Sequence, residues 1–152
     1  MKVIVIGCEY TGKSAFAKSL SEWGKKHDMD FHLDDHFTIP DASLSKEDRD
    51  IMVTLSPAFK ERFQRFQAVY HVRIVNLYRD AIEVGFYSED IIYGPLYYGY
   101  RPEALAIRQG RELEKELPSD IILVLLAASP EVIGRRMEKS PHEYQVIKKE
   151  DI

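Results

Sequence analysis

The sequence predicts an α/β fold, a three-layer α/β/α arrangement in which a parallel sheet lies between two layers of helices. Short, continuous apolar segments alternate four times with longer segments of helical periodicity. Strands that crossover helices bury on both faces have this pattern. The 152 residues are enough for one sizeable core, and no linker rich in proline, glycine or serine divides them, so we expect a single domain over residues 1–152.

The composition excludes several classes of protein. The net charge is −4 and no basic stripe is visible, which argues against a nucleic-acid partner. A single cysteine, Cys8, permits no internal disulfide. The longest apolar run, residues 121–128, is too short to cross a bilayer, and the N-terminal apolar run is too short for a secretory signal. We therefore expect a soluble, cytoplasmic protein that has no membrane partner.

The first half of the chain predicts two strands and one helix. Residues 3–6 form a β-branched run that predicts a buried strand. The helix that follows is expected to end within residues 24–28, and its apolar positions share one face. Those positions are Phe16, Leu20 and Trp23. Residues 31–33 predict a weaker second strand, and residues 39–56 predict a mobile connection with at most one helical turn.

The middle of the chain predicts a long helix and a third strand. Residues 57–84 repeat large apolar side chains at every third or fourth position, and Gly85 is expected to close this helix. The repeating side chains are Phe59, Phe63, Phe66, Val69 and Tyr70. Residues 86–88 would then form the third strand.

The last third predicts a helix, a strand and a final helix. Residues 102–117 are expected to be helical, with a proline near the start and Pro118 after the end. Residues 121–126 are the strongest strand prediction of the chain. Ser129 is expected to cap a last helix that runs through Met137.

A glycine-rich loop follows the first strand. Residues 7–14 match the pattern G-x-x-x-x-G-K-[ST] in full, between a buried strand and an amphipathic helix. Glycines let the backbone approach phosphate oxygens, and the amides of the loop and helix start donate hydrogen bonds to them. Lys13 is expected to bind the β- and γ-phosphates of ATP, and the Ser14 hydroxyl to bind Mg²⁺. The predicted nucleotide-binding residues are Gly7, Cys8, Glu9, Tyr10, Thr11, Gly12, Lys13 and Ser14. The alternative is a turn that only joins strand to helix.

Two pairs of acids follow the predicted second and third strands. Ligands of parallel sheets bind beyond the carboxyl ends of the strands, so both pairs should lie beside the glycine-rich loop. We expect Asp34 or Asp35 to accept the proton of an attacking hydroxyl group. We expect Glu89 or Asp90 to bind Mg²⁺. The alternative for each pair is a solvated acid in a turn or a helix cap.

Arginines on the predicted last helix are further catalytic candidates. Arg135 and Arg136 could stabilise the charge of a transferring phosphoryl group from a closing segment, which would span residues 131–148. The alternative is a solvated helix face, where Glu131 pairs with Arg135 at a spacing of four residues.

A tyrosine-rich segment follows the predicted third strand. Its members are Tyr93, Tyr97, Tyr98 and Tyr100. These rings could stack on a planar base, or they could pack on the core, which aromatic clusters do more often.

Histidines and acids near the second strand include types that ligate metals. On a strand, however, His32 and Asp34 share one face while Asp35 points away, and no second cluster along the chain completes a zinc site. His36 belongs to the same stretch. The pattern therefore does not favour a transition metal. His27, His71 and His142 are isolated in the sequence, and we expect them on the surface or in packing roles.

Segments outside the glycine-rich loop resemble known kinases. Residues 66–71 and 78–85 are similar to the long helix and glycine that precede the third strand of thymidylate kinases. Residues 88–91 fall where that family has an Asp-Arg-Tyr signature. Residues 122–132 resemble its fourth strand and the start of its lid. Residues 33–37 are similar to an Asp-Asp-Phe stretch of uridine kinases. Across nearly its whole length, the chain resembles the nucleoside-monophosphate kinases among the P-loop phosphotransferases.

The resemblance implies transfer of phosphate from Mg²⁺-bound ATP to a small molecule, a nucleoside or nucleoside monophosphate. Tyr70 stands where thymidylate kinases have an arginine that binds the acceptor phosphate, and Asp90 or Ile91 replaces the arginine of their signature. A neutral hydroxyl acceptor is therefore the second option. An NTP-binding or NTPase regulatory module that has no acceptor is the alternative function.

Members of the family also continue past the lid with a further helix, a fifth strand and an adenine-binding loop. The resemblance therefore implies that the C-terminal part of this chain, which stops at Ile152, is short. We leave open a fragment, a shortened form and a site completed by a second copy in a homodimer.

Overall fold

The computed structural model of this chain describes residues 1–35, 37–101 and 104–152, with the side chains of residues 104–107 also outside the description. His36 and the predicted start of a helix at residue 102 lie outside the described residues. Within these ranges, no helix is both long enough and apolar enough to span a membrane.

The described residues form a parallel sheet of four strands and six α-helices. The strands are β1 (Lys2–Ile6), β2 (His32–Asp34), β3 (Ala81–Val84) and β4 (Ile122–Leu125). The helices are α1 (Lys13–Lys25), α2 (Lys46–Thr54), α3 (Pro57–Leu77), α4 (Tyr87–Tyr93), α5 (Ala104–Glu114) and α6 (Pro130–Lys139). A π-helical segment, Gly94–Tyr98, continues α4, and a 3₁₀ turn, Lys149–Asp151, lies near the C-terminus.

The sheet confirms the predicted α/β class with parallel strands. Its order is β2-β3-β1-β4, so β1 lies in the middle and pairs with β3 on one side and β4 on the other. In the register, Asp34 of β2 lies opposite Glu83 of β3, which in turn lies opposite Ile4 of β1. All four strands point to the same edge, where the loop after β1 begins.

Helices cover both faces of the central strands. On one face, Val3 and Val5 pack with Ala17 of α1 and with Phe31. On the other, Ile4 packs with Val72 of α3 and with side chains that follow β3 and α5. Because side chains alternate along a strand, β1 needs apolar residues at every position. This arrangement is compatible with a three-layer α/β/α fold.

The prediction of the third strand was wrong. The strand is Ala81–Val84, and residues 86–88 lie at the start of α4. Helix α3 ends at Leu77, so Gly85 does not close it. Instead, Gly85 has φ +89° and turns the chain out of β3 into α4. Consequently, Glu89 and Asp90 lie in the first turn of α4 rather than directly at a strand end.

The buried face of α3 also differs from the prediction. Most of the predicted apolar face is exposed, with Phe59 67% and Phe66 66% accessible to solvent. The face that packs on the sheet carries Gln64, Ala68, His71, Val72, Ile74 and Val75. Two polar residues, Gln64 and His71, are buried within this face, and for His71 this is one of the two roles expected from the sequence.

Two further predictions need correction. Residues 39–56 contain α2, a full helix whose N-terminus is capped by the Ser45 side chain, which accepts a hydrogen bond from the backbone amide of Asp48. Strand β4 is confirmed, but Leu123 and Leu125 are largely exposed, so β4 is not buried on both faces.

Candidate functional site

The loop of residues 7–14 joins β1 to α1 through a bend of positive φ angles. Gly7 has φ +151°, Gly12 has φ +99° and Tyr10 has φ +63°. A Cβ atom on Gly7 would collide with the carbonyl oxygen of Leu126, so the position requires glycine. The strand–loop–helix context that the motif needs is therefore present.

Lys13 and Glu89 meet across this loop. The Lys13 ammonium donates hydrogen bonds to the carbonyl oxygen of Gly7 and to both carboxylate oxygens of Glu89, the latter at 3.0 and 3.2 Å. The backbone amide of Gly7 donates to Glu89 Oε1 at 2.7 Å. Both side chains are mostly buried, with 16% and 15% of their surface exposed. One anionic group is thus bound by an ammonium and a backbone amide, which are the donors that a phosphate oxygen requires.

The loop forms one wall of a cleft of about 680 Å³. Residues after β2, on α4, and on and after α6 form the other walls. The cleft brings together most of the site residues that the sequence predicts. Those that line it are Cys8, Glu9, Tyr10, Gly12, Lys13, Ser14, Asp35, Glu89, Asp90 and Arg136. Gly7 and Thr11 complete the loop behind this surface.

Asp34 and Arg135 are not among the described residues that line the cleft. Asp34 is 1% exposed, and its carboxylate lies near His71 of α3 and Glu83 of β3. Arg135 is exposed on α6. Of the two acids predicted to accept a proton, Asp35 is the one on the cleft wall.

The loop also binds the segment of residues 140–147, a contact that the sequence did not predict. Glu9 Oε2 accepts hydrogen bonds from the backbone amides of Val146 and Ile147, at 3.1 and 2.8 Å. A carboxylate that receives two backbone amides fixes the path of the chain locally. A lone acid inside a phosphate-loop motif gave no signal of this role, because the motif uses only the backbone at that position.

A second set of contacts joins the loop to the predicted lid. The Tyr10 ring stacks on His142 with ring centroids 4.0 Å apart. Arg136 Nη1 donates a hydrogen bond to the carbonyl oxygen of Tyr10 at 2.6 Å. Residues 131–148 therefore contact the loop directly, and Arg136 is the arginine that reaches it.

The tyrosine-rich segment contributes mostly packing. Tyr98 and Tyr100 are buried in a cluster with Ile39 and Met52. Both Tyr93 and Tyr98 line the cleft, but Tyr93 differs because its hydroxyl accepts a hydrogen bond from the backbone amide of Glu9 at 3.0 Å. Tyr93 thus supports the loop from α4.

Asp90, the second acid of this pair, is bound by the Tyr100 hydroxyl. Burial raises the pKa of Asp90 to about 6, a hydrogen bond from the Tyr100 hydroxyl opposes this rise, and the charge of Glu61 adds to it. The Asp90 carboxyl keeps its proton up to about pH 6 and is already bound by a hydroxyl, so we expect Asp90 to bind a cation more weakly than Glu89 does.

The fold and site together define an α/β protein that has a glycine-rich loop at the edge of a parallel sheet and an adjoining cleft. No protein-family model matches the chain. A search of curated proteins likewise finds no significant match. The resemblance to nucleotide kinases therefore rests on the sequence segments described above.

Proposed function

We propose that this protein is an ATP- and Mg²⁺-dependent phosphotransferase that acts on a small molecule, a nucleoside or nucleoside monophosphate. The observation that carries the proposal is the convergence of the Lys13 ammonium and the Gly7 amide on one oxygen of Glu89. These donors would bind a phosphate oxygen in the same way. The adjoining cleft, at about 680 Å³, has the size of a typical small-molecule site.

The loop residues fit a triphosphate. Gly7 and Gly12 have positive φ angles and no side chains of their own, so the backbone can approach phosphate oxygens. Ser14 on the cleft wall has the hydroxyl that this motif uses for Mg²⁺. Glu89 would provide a carboxylate for the same ion, and Lys13, which now contacts this carboxylate, would bind the phosphates. Bound ATP would supply the γ-phosphoryl group, and Mg²⁺ would neutralise its charge.

Asp35 and Arg136 take the two remaining roles. Asp35 accepts the proton of the acceptor hydroxyl while the hydroxyl oxygen bonds to phosphorus and the bond between phosphorus and the leaving ADP oxygen breaks. Arg136 already bonds the Tyr10 carbonyl, so its guanidinium is positioned near the loop to stabilise charge on the transferring group.

The cations on the cleft walls bear on the choice of acceptor. Among the described residues, the arginines on the cleft walls are Arg49 and Arg136. Arg49 Nη1 lies 3.3 Å from Glu143 Oε2, so its charge is already partly balanced. Lys139 also lines the cleft and is a further cation that an acceptor phosphate could contact, so these side chains suit both a nucleoside and a nucleoside monophosphate.

Loss of Lys13 is the first test of this proposal. In the Lys13→Ala variant we expect ATP affinity, measured by isothermal titration calorimetry, to fall at least about 100-fold, because the ammonium binds the β- and γ-phosphates. Lys18→Ala is the matched control, since Lys18 is an exposed lysine of the same helix. Unchanged ATP affinity in Lys13→Ala would contradict the proposal.

A panel of acceptors separates the kinase from the alternative function. ADP release would be measured with nucleosides, nucleoside monophosphates and sugars, and a kinase should be stimulated by one class. A regulatory NTP-binding module is the second candidate, because Glu9 links the loop to the C-terminal segment and could transmit nucleotide binding. Tight ATP binding with slow hydrolysis that no acceptor stimulates would favour this second function.

A further inference from the structure

A second cluster of ionisable side chains lies beneath the sheet edge, outside the cleft. It consists of Asp34 on β2, His71 on α3 and Glu83 on β3. His71 and Glu83 are 0% exposed and Asp34 is 1% exposed. One ligand atom from each residue lies within 4.8 Å of the others. Three residues far apart in the sequence thus place oxygen and nitrogen atoms around one buried point.

The distances do not correspond to hydrogen bonds within the cluster. His71 Nε2 is 3.7 Å from Asp34 Oδ1 and 3.6 Å from Glu83 Oε2. Neither ring nitrogen of His71 and neither carboxylate oxygen of Glu83 has a hydrogen-bond partner among the described residues. Buried polar atoms without hydrogen-bond partners cost folding free energy. Several such atoms around one point indicate that an ion or a proton binds there.

The separations match those between ligands of one metal ion. With metal–ligand bonds of about 2.1 Å, two ligand atoms in tetrahedral coordination lie about 3.4 Å apart. The observed 3.6 and 3.7 Å differ from this by only a few tenths of an ångström. Small side-chain adjustments would therefore bring these atoms to bonding distance of a common ion.

The charges favour a divalent cation. Two carboxylates carry two negative charges into a site that water does not reach, and one divalent ion with a neutral imidazole balances them completely. A proton is the alternative occupant: burial raises the pKa of Glu83 to about 9, and the charge of Asp34 adds to this rise. A single proton, however, neutralises only one of the two carboxylates.

We propose that Asp34, His71 and Glu83 form a buried binding site for one divalent transition-metal ion of the Zn²⁺, Co²⁺ or Mn²⁺ type. A ligand set of one imidazole nitrogen and carboxylate oxygens suits these ions, whereas Mg²⁺ and Ca²⁺ prefer oxygen ligands alone. The second oxygen of a carboxylate completes the coordination.

The role of this ion is structural. The ligands are closed off from solvent, so the site has no open position for a substrate. The ion links α3 to β2 and β3. Asp35 directly follows the ligand Asp34, so the ion also fixes the backbone that carries a residue of the cleft wall.

Metal binding to the purified full chain tests the proposal without any nucleotide. The protein is stripped with a chelator, incubated with Zn²⁺, Co²⁺, Mn²⁺ or Mg²⁺, and desalted before elemental analysis. We expect one transition-metal ion per chain and no retained Mg²⁺. At a metal concentration of about 100 times Kd, the melting temperature should rise by about 5–10 °C.

Variants assign the ion to this cluster. Loss of an outer-shell partner alone weakens metal binding 10–100-fold, so His71→Gln and Glu83→Gln should each lower affinity at least about 100-fold. His27→Gln is the matched control, because His27 is exposed and belongs to no acidic cluster. It should bind the ion as the unaltered chain does.

Three results would overturn the proposal. One is less than about a tenth of an ion per chain in the unaltered protein after desalting from every transition metal. Another is a folded His71→Gln or Glu83→Gln variant that binds as tightly as the unaltered chain. If neither variant folds, proton NMR of the unaltered Co²⁺ form decides, because ring signals of one buried histidine should be shifted by the paramagnetic ion. Absence of any shifted histidine signal would then refute the site.

Discussion

Lys13 with Glu89, and Asp34 with His71 and Glu83, are two groups of charged side chains near the same edge of one sheet. The first group joins opposite charges on a cleft wall, and each side chain keeps about a sixth of its surface in solvent, 16% and 15%. The second group places two carboxylates and one imidazole where water does not reach. The first is balanced by itself and can exchange its partner for a ligand. The second carries two carboxylates, and one divalent cation would balance their charge.

This contrast teaches that burial decides what a charge can do. The Lys13–Glu89 pair lies on a cleft wall and keeps some contact with solvent, so an incoming anion can take the place of the carboxylate. A fully buried group cannot lose a partner without a large penalty. The cleft should therefore govern binding and turnover, while the buried cluster should govern the free energy of unfolding.

The largest expected effect is on stability, from removal of the buried imidazole. His71→Ala leaves two carboxylates facing each other without the ring and opens a cavity, so the free energy of unfolding should fall by about 3–5 kcal/mol. Urea denaturation followed by circular dichroism measures this change. The exposed His27→Ala should change stability by less than about 0.5 kcal/mol. A loss below about 1 kcal/mol in His71→Ala would remove the distinction between the two groups.

Two glycines of the loop should differ in their tolerance of a side chain. Both have positive φ angles, and strain of this kind costs about 1–3 kcal/mol for alanine. Gly7→Ala should lie at or above the top of that range, because its Cβ would also collide with the carbonyl oxygen of Leu126. Gly12→Ala should cost less, since the nearest atom to its Cβ is Arg136 Nη1 at 3.7 Å. Equal midpoints of thermal unfolding for the two variants would contradict the described bend.

Asp90, on the cleft side, should show a pH-dependent effect of intermediate size. Its pKa of about 6 lies above the ordinary value of 3.8, so the folded chain holds this proton more tightly than the unfolded chain. The resulting stability is complete below pH 3.8 and is lost as the pH rises to about 6. Asp90→Asn removes the ionisation, so above pH 6 the variant should be more stable than the unaltered chain by about 1–2 kcal/mol.

Denaturation midpoints across this pH range measure the Asp90 effect. Asp120→Asn serves as the control, because Asp120 is exposed and its replacement should leave the pH profile unchanged. An Asp90→Asn profile parallel to that of the unaltered chain would show that Asp90 does not titrate differently in the folded state.

The smallest expected effect concerns the competition at the loop. Glu89→Gln keeps the shape of the side chain but removes the charge that engages Lys13 and the Gly7 amide. Without Mg²⁺, ATP affinity should rise by a few fold up to about 10-fold, because the donors no longer have to leave a carboxylate. With Mg²⁺, turnover should fall if Glu89 binds the ion. Titration calorimetry with and without Mg²⁺ separates the two effects, and weaker binding in both conditions would contradict the competition.

Local signals in the sequence predicted the part of the site that is local in the chain. A β-branched run, a glycine-rich loop and an amphipathic helix follow one another within residues 3–25, so pattern and spacing sufficed for β1, the loop and α1. The parallel sheet was predictable for a similar reason, since apolar runs separated by helical segments permit few other arrangements.

The sequence did not predict β3 correctly because the residues of this strand resemble those of the helix before it. The segment Ala81–Val84 contains Glu83, although the strand is buried on both faces. An acid is not expected in such a strand, so the segment was interpreted as the end of the preceding helix. Only its partners Asp34 and His71, distant in sequence, reveal why a carboxyl can be buried there. The exposed aromatic side chains of α3, Phe59 and Phe66, misled the choice of its buried face in the same way.

The cluster of Asp34, His71 and Glu83 could not be predicted from the sequence. His71 is isolated among apolar and basic neighbours, and its spacing to Asp34 and Glu83 matches no short metal-binding motif. Its one signal is position: Ala68, His71, Val72 and Val75 recur with helical spacing and form one stripe. A polar residue inside an otherwise apolar stripe marks a side chain that needs a buried partner.

The carboxylate of Glu9 couples the glycine-rich loop to the segment around Val146 and Ile147. It accepts the backbone amides of Val146 and Ile147 while its own backbone belongs to the glycine-rich loop. Thermodynamic linkage is reciprocal, so a ligand that orders this loop must also protect the last residues from proteolytic cleavage. By the same reciprocity, cutting the chain before Val146 would lower the affinity for that ligand by the factor by which the ligand protects the segment.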